Sequence, residues 1–213
     1  MLVNPRSWAV LATLMFLSGC NQVSSKSTIK IFLEDSPSYV QELTFINDFN
    51  TRYSLQEIHK HLVKQEWIQD FVIKRPSLNE VRIYIKSKVP QYVWNKQFYL
   101  DSALTKFQYD GGHQHLIHLA IPEAKIIQWN QNALRLQNIL ALHNLQIEEV
   151  FFNESDGWYL VTKSGLRANI GLILSKKSIH KFALGLKYIF ENNLRPSIID
   201  LRYPEGAALN YGK

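Results

Sequence analysis

The sequence predicts an α+β protein: an N-terminal membrane segment, a β-α-α-β-β unit, then a β-rich part with a few helices that ends in an edge hairpin. Three observations lead there. An apolar run, Trp8 to Gly19, follows Arg6 near the start of the chain. In residues 29–88, stretches with a period of two alternate with stretches of helical period. At the far end, Ile199, Leu201 and Tyr203 alternate with Ile198, Asp200 and Arg202, and Pro204-Glu205-Gly206 then turns the chain into Ala207 to Tyr211. Proline suits the second position of a type I turn, and glycine supplies the positive φ of a bulged hairpin.

Composition sets the frame for these elements. Of 213 residues, 46% are hydrophobic and 20% charged, which suits a globular chain that can build one core or two. The net charge of +6 is spread along the chain without a basic arm, so it fits a solvated surface better than nucleic-acid binding. The single cysteine, Cys20, lies in the N-terminal segment, so the folded part can hold neither a disulfide framework nor a zinc-finger set.

Taken in order, residues 1–7 read as a short tail and residues 8–23 as the membrane segment. The apolar stretch Trp8 to Gly19 is short against the ~20 residues of a spanning helix, and Leu17-Ser18-Gly19-Cys20 has the form of a lipobox, in which Cys20 would be lipidated. The residues leave two readings open, an uncleaved anchor or a lipoprotein signal ending at Cys20. Both export the remainder of the chain and keep it tethered. Residues 24–28 form a polar linker.

Ile29 to Leu33 reads as a strand. Ser36-Pro37 starts a helix carrying Tyr39, Leu43 and Ile46, and the capping box Ser54-x-x-Glu57 opens a second with Leu55, Ile58 and Leu62 on its apolar side. Phe71 to Lys74 and the alternating Val81, Ile83 and Ile85 are two further strands. A three-stranded sheet covered on one face by two helices buries both patterns. Beyond Val89 the expected elements are a strand–turn–strand from Phe98 to Phe107, a helix around Ala133 to His143, a strand from Ile147 to Phe152, a hairpin from Trp158 through Gly165 to Gly171, and a helix from Ser178 to Asn192.

The C-terminal pattern Ile199-Asp200-Leu201-Arg202-Tyr203, then Gly206, Ala208 and Tyr211, resembles the bacterial FtsQ/DivIB cell-division family. Other stretches match that family in the same order: Trp67-Ile68, Glu80-Val81-Arg82-Ile83, Val89-Pro90 with Trp94, and Trp158-Tyr159-Leu160 with Gly165 and Gly171. The β-α-α-β-β order resembles a POTRA domain. Departures are Ser87 for a usual glutamate, Pro76-Ser77-Leu78 for a tryptophan-proline turn, and Leu104 for a turn glycine. The resemblance implies a POTRA domain over residues 29–88 and an FtsQ-type β-domain over 89–213, behind a single-pass type II anchor in the inner membrane. It implies a divisome scaffold without enzymatic activity, concentrated at the septum with its bulk in the periplasm. Its partners would be FtsB- and FtsL-type proteins and, through them, the septal peptidoglycan synthases FtsW and FtsI. The partner-binding residues it implies are Arg202, Tyr203, Gly206, Ala207, Ala208, Leu209 and Tyr211, with Tyr211 in place of a usual tryptophan. A phase shared with Ile199 and Leu201 offers Tyr203 a second reading, as core.

No constellation in the chain calls for chemistry. His113, His115 and His118 follow Gly111-Gly112, but a strand would split them between two faces and no acid or cysteine completes a ligand set, so they read as a surface loop. Glu148 and Glu149 would point to opposite faces of a strand and cannot act as an acid–base pair. No metal or cofactor is expected. The rival readings are an envelope lipoprotein that uses its POTRA domain in outer-membrane protein assembly, and a metal-dependent hydrolase built on the histidine loop.

Overall fold

The computed structural model describes residues 28–34, 44–45, 53–108, 110, 112, 115–204 and 206–212. The N-terminal segment with Cys20, the helix expected from Ser36, His113 and Glu205 lie outside the described residues. No helix among the described residues is long and apolar enough to cross a membrane.

Two sheets organise the molecule. The first has the order β1-β3-β2, with β1 (Thr28–Leu33) parallel and β2 (Ile68–Ser77) antiparallel to β3 (Glu80–Ser87). Helix α1 (Leu55–Val63) covers one face of it. Its expected capping box is present: Ser54 Oγ accepts the Glu57 N–H at 3.3 Å, and a Glu57 carboxylate oxygen accepts the Ser54 N–H at 2.7 Å. These donors hold the Glu57 carboxyl below the usual carboxylate range, the Ser54 backbone bond most of all. Ile58 and Leu62 of the helix are fully buried against Val81, Ile83, Ile85 and Trp67.

The second sheet has nine strands in the order β12-β11-β10-β9-β8-β7-β4-β5-β6. They are β4 (Pro90–Trp94), β5 (Phe98–Asp101), β6 (Lys106–Gln108), β7 (Ile117–Ala120), β8 (Ile147–Asn153), β9 (Gly157–Thr162), β10 (Arg167–Gly171), β11 (Ile198–Asp200) and β12 (Ala208–Asn210). Helices α2 (Ile126–Ala141) and α3 (Lys176–Glu191) pack on one face. Trp129 and Leu136 of α2 and Phe182 and Leu186 of α3 meet Val150, Trp158, Leu160 and Ile199 there. On β4 and β5 the opposite face is buried too, and Phe107 of β6 adds to it. Val93, Tyr99 and Phe107 join the core beneath α1, while Tyr92, Trp94 and Leu100 join the core beneath α2 and α3.

This α+β architecture is compatible with a POTRA unit followed by a β-domain. It differs from the sequence expectations at element ends. Helix α2 starts at Ile126, well before Ala133, because Pro122 and the 3-10 turn Glu123–Lys125 lead into it. Helix α3 starts at Lys176, capped by Ser175, whose Oγ accepts the Ser178 N–H at 3.2 Å. Leu104 adopts φ 63°, the conformation a turn glycine would take. Asp101 holds that turn, its Oδ1 accepting the N–H groups of Ala103 at 2.9 Å and Thr105 at 2.8 Å.

Replacing Ser54 by alanine removes the cap of α1. It should lower stability by about 1 kcal/mol, read as a lower thermal midpoint. An unchanged midpoint would mean that the cap contributes nothing.

Candidate functional site: the C-terminal sheet edge

Among the described residues, strand β12 has one neighbour, β11, and forms one end of the nine-stranded sheet. Its register is Ile198↔Asn210, Ile199↔Leu209 and Asp200↔Ala208. On the other side β11 runs parallel to β10. Burial is unequal across this end. Ile199 is 0% exposed and Leu201 4%, whereas Ala208 and Asn210 are exposed and Leu209 is half-buried. Full burial of a large aliphatic side chain is worth about 1.5–3 kcal/mol, so β11 is anchored by packing. β12 is held chiefly by its backbone bonds and by Ser197, whose Oγ donates to the carbonyls of Asn210 at 3.1 Å or Gly212 at 2.7 Å.

The alternation read from Ile198 to Tyr203 stops at Asp200. There the Asp200 carboxylate accepts the Arg202 N–H at 3.0 Å and turns the chain out of the strand. It also receives the Arg202 guanidinium, Nε to Oδ1 at 3.0 Å and Nη2 to Oδ2 at 2.7 Å. The Arg202 Nη1 reaches Asp156 Oδ1 at 2.7 Å, from the turn between β8 and β9. That turn comes close because residue 157 is glycine at φ 76°: a Cβ there would lie 2.2 Å from the carbonyl carbon of Gly171. The side-chain bonds from Arg202 hold the Asp200 carboxyl below its ordinary range, and the Arg202 pKa is raised in turn. From α3, Lys181 Nζ donates to the carbonyls of Leu201, at 2.9 Å, and Tyr203. The loop before β12 is therefore tied down at both flanks.

Of the residues expected to bind a partner, Tyr203 and Tyr211 are 55% and 57% exposed, so Tyr203 is not core. Ala207, Ala208 and Gly206 are exposed, and Gly206 holds φ 78° in open space. Arg202 is engaged by two carboxylates of its own chain and shapes the loop.

The sequence reading missed the α3 side of this edge. Lys181, Leu184, Gly185 and Tyr188 of α3 face Leu201, Gly206, Ala207 and Leu209 across a groove. Leu184 and Tyr188 are 54% and 59% exposed, although both are large and apolar in body. Their spacing of four on the side of α3 away from Phe182 and Leu186 was the available signal.

Elsewhere, Glu148 is exposed and Glu149 half-buried on β8. Among the described residues, no three His, Cys, Asp or Glu side chains are grouped to hold a metal ion. His118 pairs with Val93 and Glu149 as an ordinary member of β7.

These features define a class: an α+β chain whose last strand leaves a sheet edge open beside an apolar helix groove. No protein-family model matches the chain. Among curated proteins it is similar to the cell division protein FtsQ of Vibrio cholerae serotype O1, with 23% identity over 147 residues, 68% of this chain and 56% of that protein. FtsQ of Blochmanniella floridana is 24% identical over 169 residues, 72% of this chain and 61% of the relative. FtsQ of Escherichia coli K12 is 23% identical over 152 residues, 68% and 55% respectively. The match thus spans little more than half the length of these relatives. The three matches support a likeness to the FtsQ/DivIB family, and each of these relatives is named as a cell division protein.

The Asp200–Arg202 clamp makes the edge pH-sensitive in a stated direction. Because the folded pKa of Asp200 is depressed, the clamp contributes fully above the unfolded carboxylate value of about 3.9. Its contribution is lost as the pH falls below that, through the lower folded value. Hydrogen exchange at the β12 amides bonded to β11 should therefore accelerate in acid more than exchange in β8. Parallel changes in both strands would show that the clamp does not hold the edge.

Proposed function

We propose that this chain is a membrane-tethered scaffold of the bacterial divisome, facing the periplasm and acting through the β12 edge. In this reading residues 8–23 are the inner-membrane anchor, 29–88 a POTRA domain and 89–213 the β-domain. The chain carries no catalytic step. Its work is geometric: it presents a docking edge to FtsB- and FtsL-type partners and links them to the septal synthases FtsW and FtsI.

The observation that carries this reading is the open β12 edge beside the groove of Leu184 and Tyr188. An exposed edge offers one row of unpaired N–H and C=O groups to an incoming strand. Ala207 and Ala208 are small and uncharged, so another backbone can approach. Main-chain bonds then supply affinity and flanking side chains specificity. Tyr203, Tyr211 and Tyr188 stand around the edge with more than half their surface free, and tyrosine is enriched at interface hot spots.

Tyr188→Ala and Tyr211→Ala should each weaken binding of a purified FtsB-type periplasmic segment on the order of tenfold, measured by calorimetry, with unchanged melting midpoints. Wild-type affinity in both variants would show that this edge is not the docking surface. Depletion in the source bacterium should yield undivided filaments. Loss of outer-membrane proteins without filamentation would instead place the chain in envelope assembly.

A further inference from the structure

The outer face of the first sheet, turned away from α1, carries an ordered charge pattern. The registers place Lys30 of β1 beside Arg82 of β3, and Arg82 beside Lys74 of β2. Their sequence neighbours Ile31, Ile83 and Ile73 point to the core, so the three cations stand in one row on the outer face. Like charges directly opposite on adjacent strands repel. One carboxylate, Glu80, relieves part of this, reaching Lys30 at 3.0 Å and Arg82 at 2.9 Å. These bonds hold the Glu80 carboxyl below its usual range, the one from Arg82 most of all. Lys74 has its ammonium over the Tyr84 ring, 5.2 Å from the centroid.

The row lies near one end of the sheet. At that end Thr28 begins β1, and its N–H donates to the Asn79 carbonyl at 2.7 Å. Arg75 reaches across the β2–β3 turn to the Leu78 carbonyl at 2.9 Å. Leu78, at the tip, is 78% exposed. Two further acids of this face, Glu34 and Asp70, flank Lys86 toward the opposite end.

With the anchor of the proposed function ending at Val23, the linker sets the distance from this end to the membrane. Only residues 24–27 separate Val23 from Thr28, a reach of at most roughly 18 Å. The six residues of β1 span a similar length, about 20 Å. A domain tethered so briefly cannot move its Thr28 end farther from the bilayer than about its own height.

We infer that this end is a membrane-contact face: Lys30, Lys74, Arg75 and Arg82 meet the phosphates of an anionic bilayer, and Leu78 enters the headgroup layer. The inference rests on the tether of the proposed function. Row repulsion and an exposed leucine, both unfavourable in water, become favourable against anionic lipid. The face thereby fixes the tilt of the first sheet on the membrane.

The test uses the full chain in nanodiscs of phosphatidylcholine, with or without phosphatidylglycerol, and a photoreactive amino acid at position 78 or at position 70. Lipid adducts should form at position 78, severalfold more than at 70, and only with anionic lipid. Lys30→Gln and Lys74→Gln should each cut the yield about fivefold without changing the melting midpoint, and high salt should suppress it. Equal labelling at both positions, indifference to phosphatidylglycerol, or adducts to a second copy of the chain would overturn the face while leaving the tether intact. A chain that fails to enter nanodiscs would remove the tether and this inference with it.

Discussion

Burial of β4 and β5 on both faces is the constraint on which the molecule depends. A strand in an α+β protein commonly has one wet face. Here successive residues of β4 serve different cores: Tyr92 and Trp94 pack beneath α2 and α3, and Val93 packs beneath α1. The polar tips that this burial would strand find partners, as buried aromatic residues require. The Trp94 Nε1–H donates to the Ile121 carbonyl at 2.8 Å, the Tyr92 hydroxyl to Asn130 Oδ1 at 3.1 Å, and the Tyr99 hydroxyl to Asp110 Oδ1 at 2.7 Å. The two sheets therefore share one packed layer.

That shared layer leaves function to the periphery. The nine-stranded sheet ends at β6 and at β12, and at β12 a short strand rests on the anchored β11. Opposite charges shape the approach to it. Arg202 draws Asp200 and Asp156 together, and Lys181 gathers the loop carbonyls, so the chain reaches the edge in one defined path. The edge itself stays low in charge and small in side chains, the reverse of the usual protection against strand pairing.

The first sheet shows the complementary arrangement. Its α1 side is spent on the core, and its other side gathers three cations and one carboxylate, Glu80, near the Thr28 end, with Lys86 between Glu34 and Asp70 at the far end. A chain with a docking edge at one place and a charged face at another can be held by a surface and still present its edge.

Much of this was legible in the sequence because local signals are short-range. The capping box at Ser54, the period-two run at Val81, the Trp158–Gly171 hairpin and the final Ile198–Tyr211 pattern each report chemistry within a few residues, and the elements form there. Two ends were misjudged where a neighbour outside the window decides. Helix α2 starts at Ile126, led in by Pro122 and the 3-10 turn, and β11 stops at Asp200 because that carboxylate caps Arg202 and recruits Asp156 from 46 residues away in sequence. Periodicity gave Tyr203 the phase of Leu201, but only the turn made by Asp200 put it in solvent. The groove along Leu184 and Tyr188, and the row of Lys30, Arg82 and Lys74, were invisible for the same reason. Their members come from separate strands and helices, and only register and helix packing bring them side by side. Sequence by itself determined which residues form each element and which of their faces is apolar. Tertiary structure alone decided which edge stays open and which charges become neighbours, because both depend on pairings between distant segments.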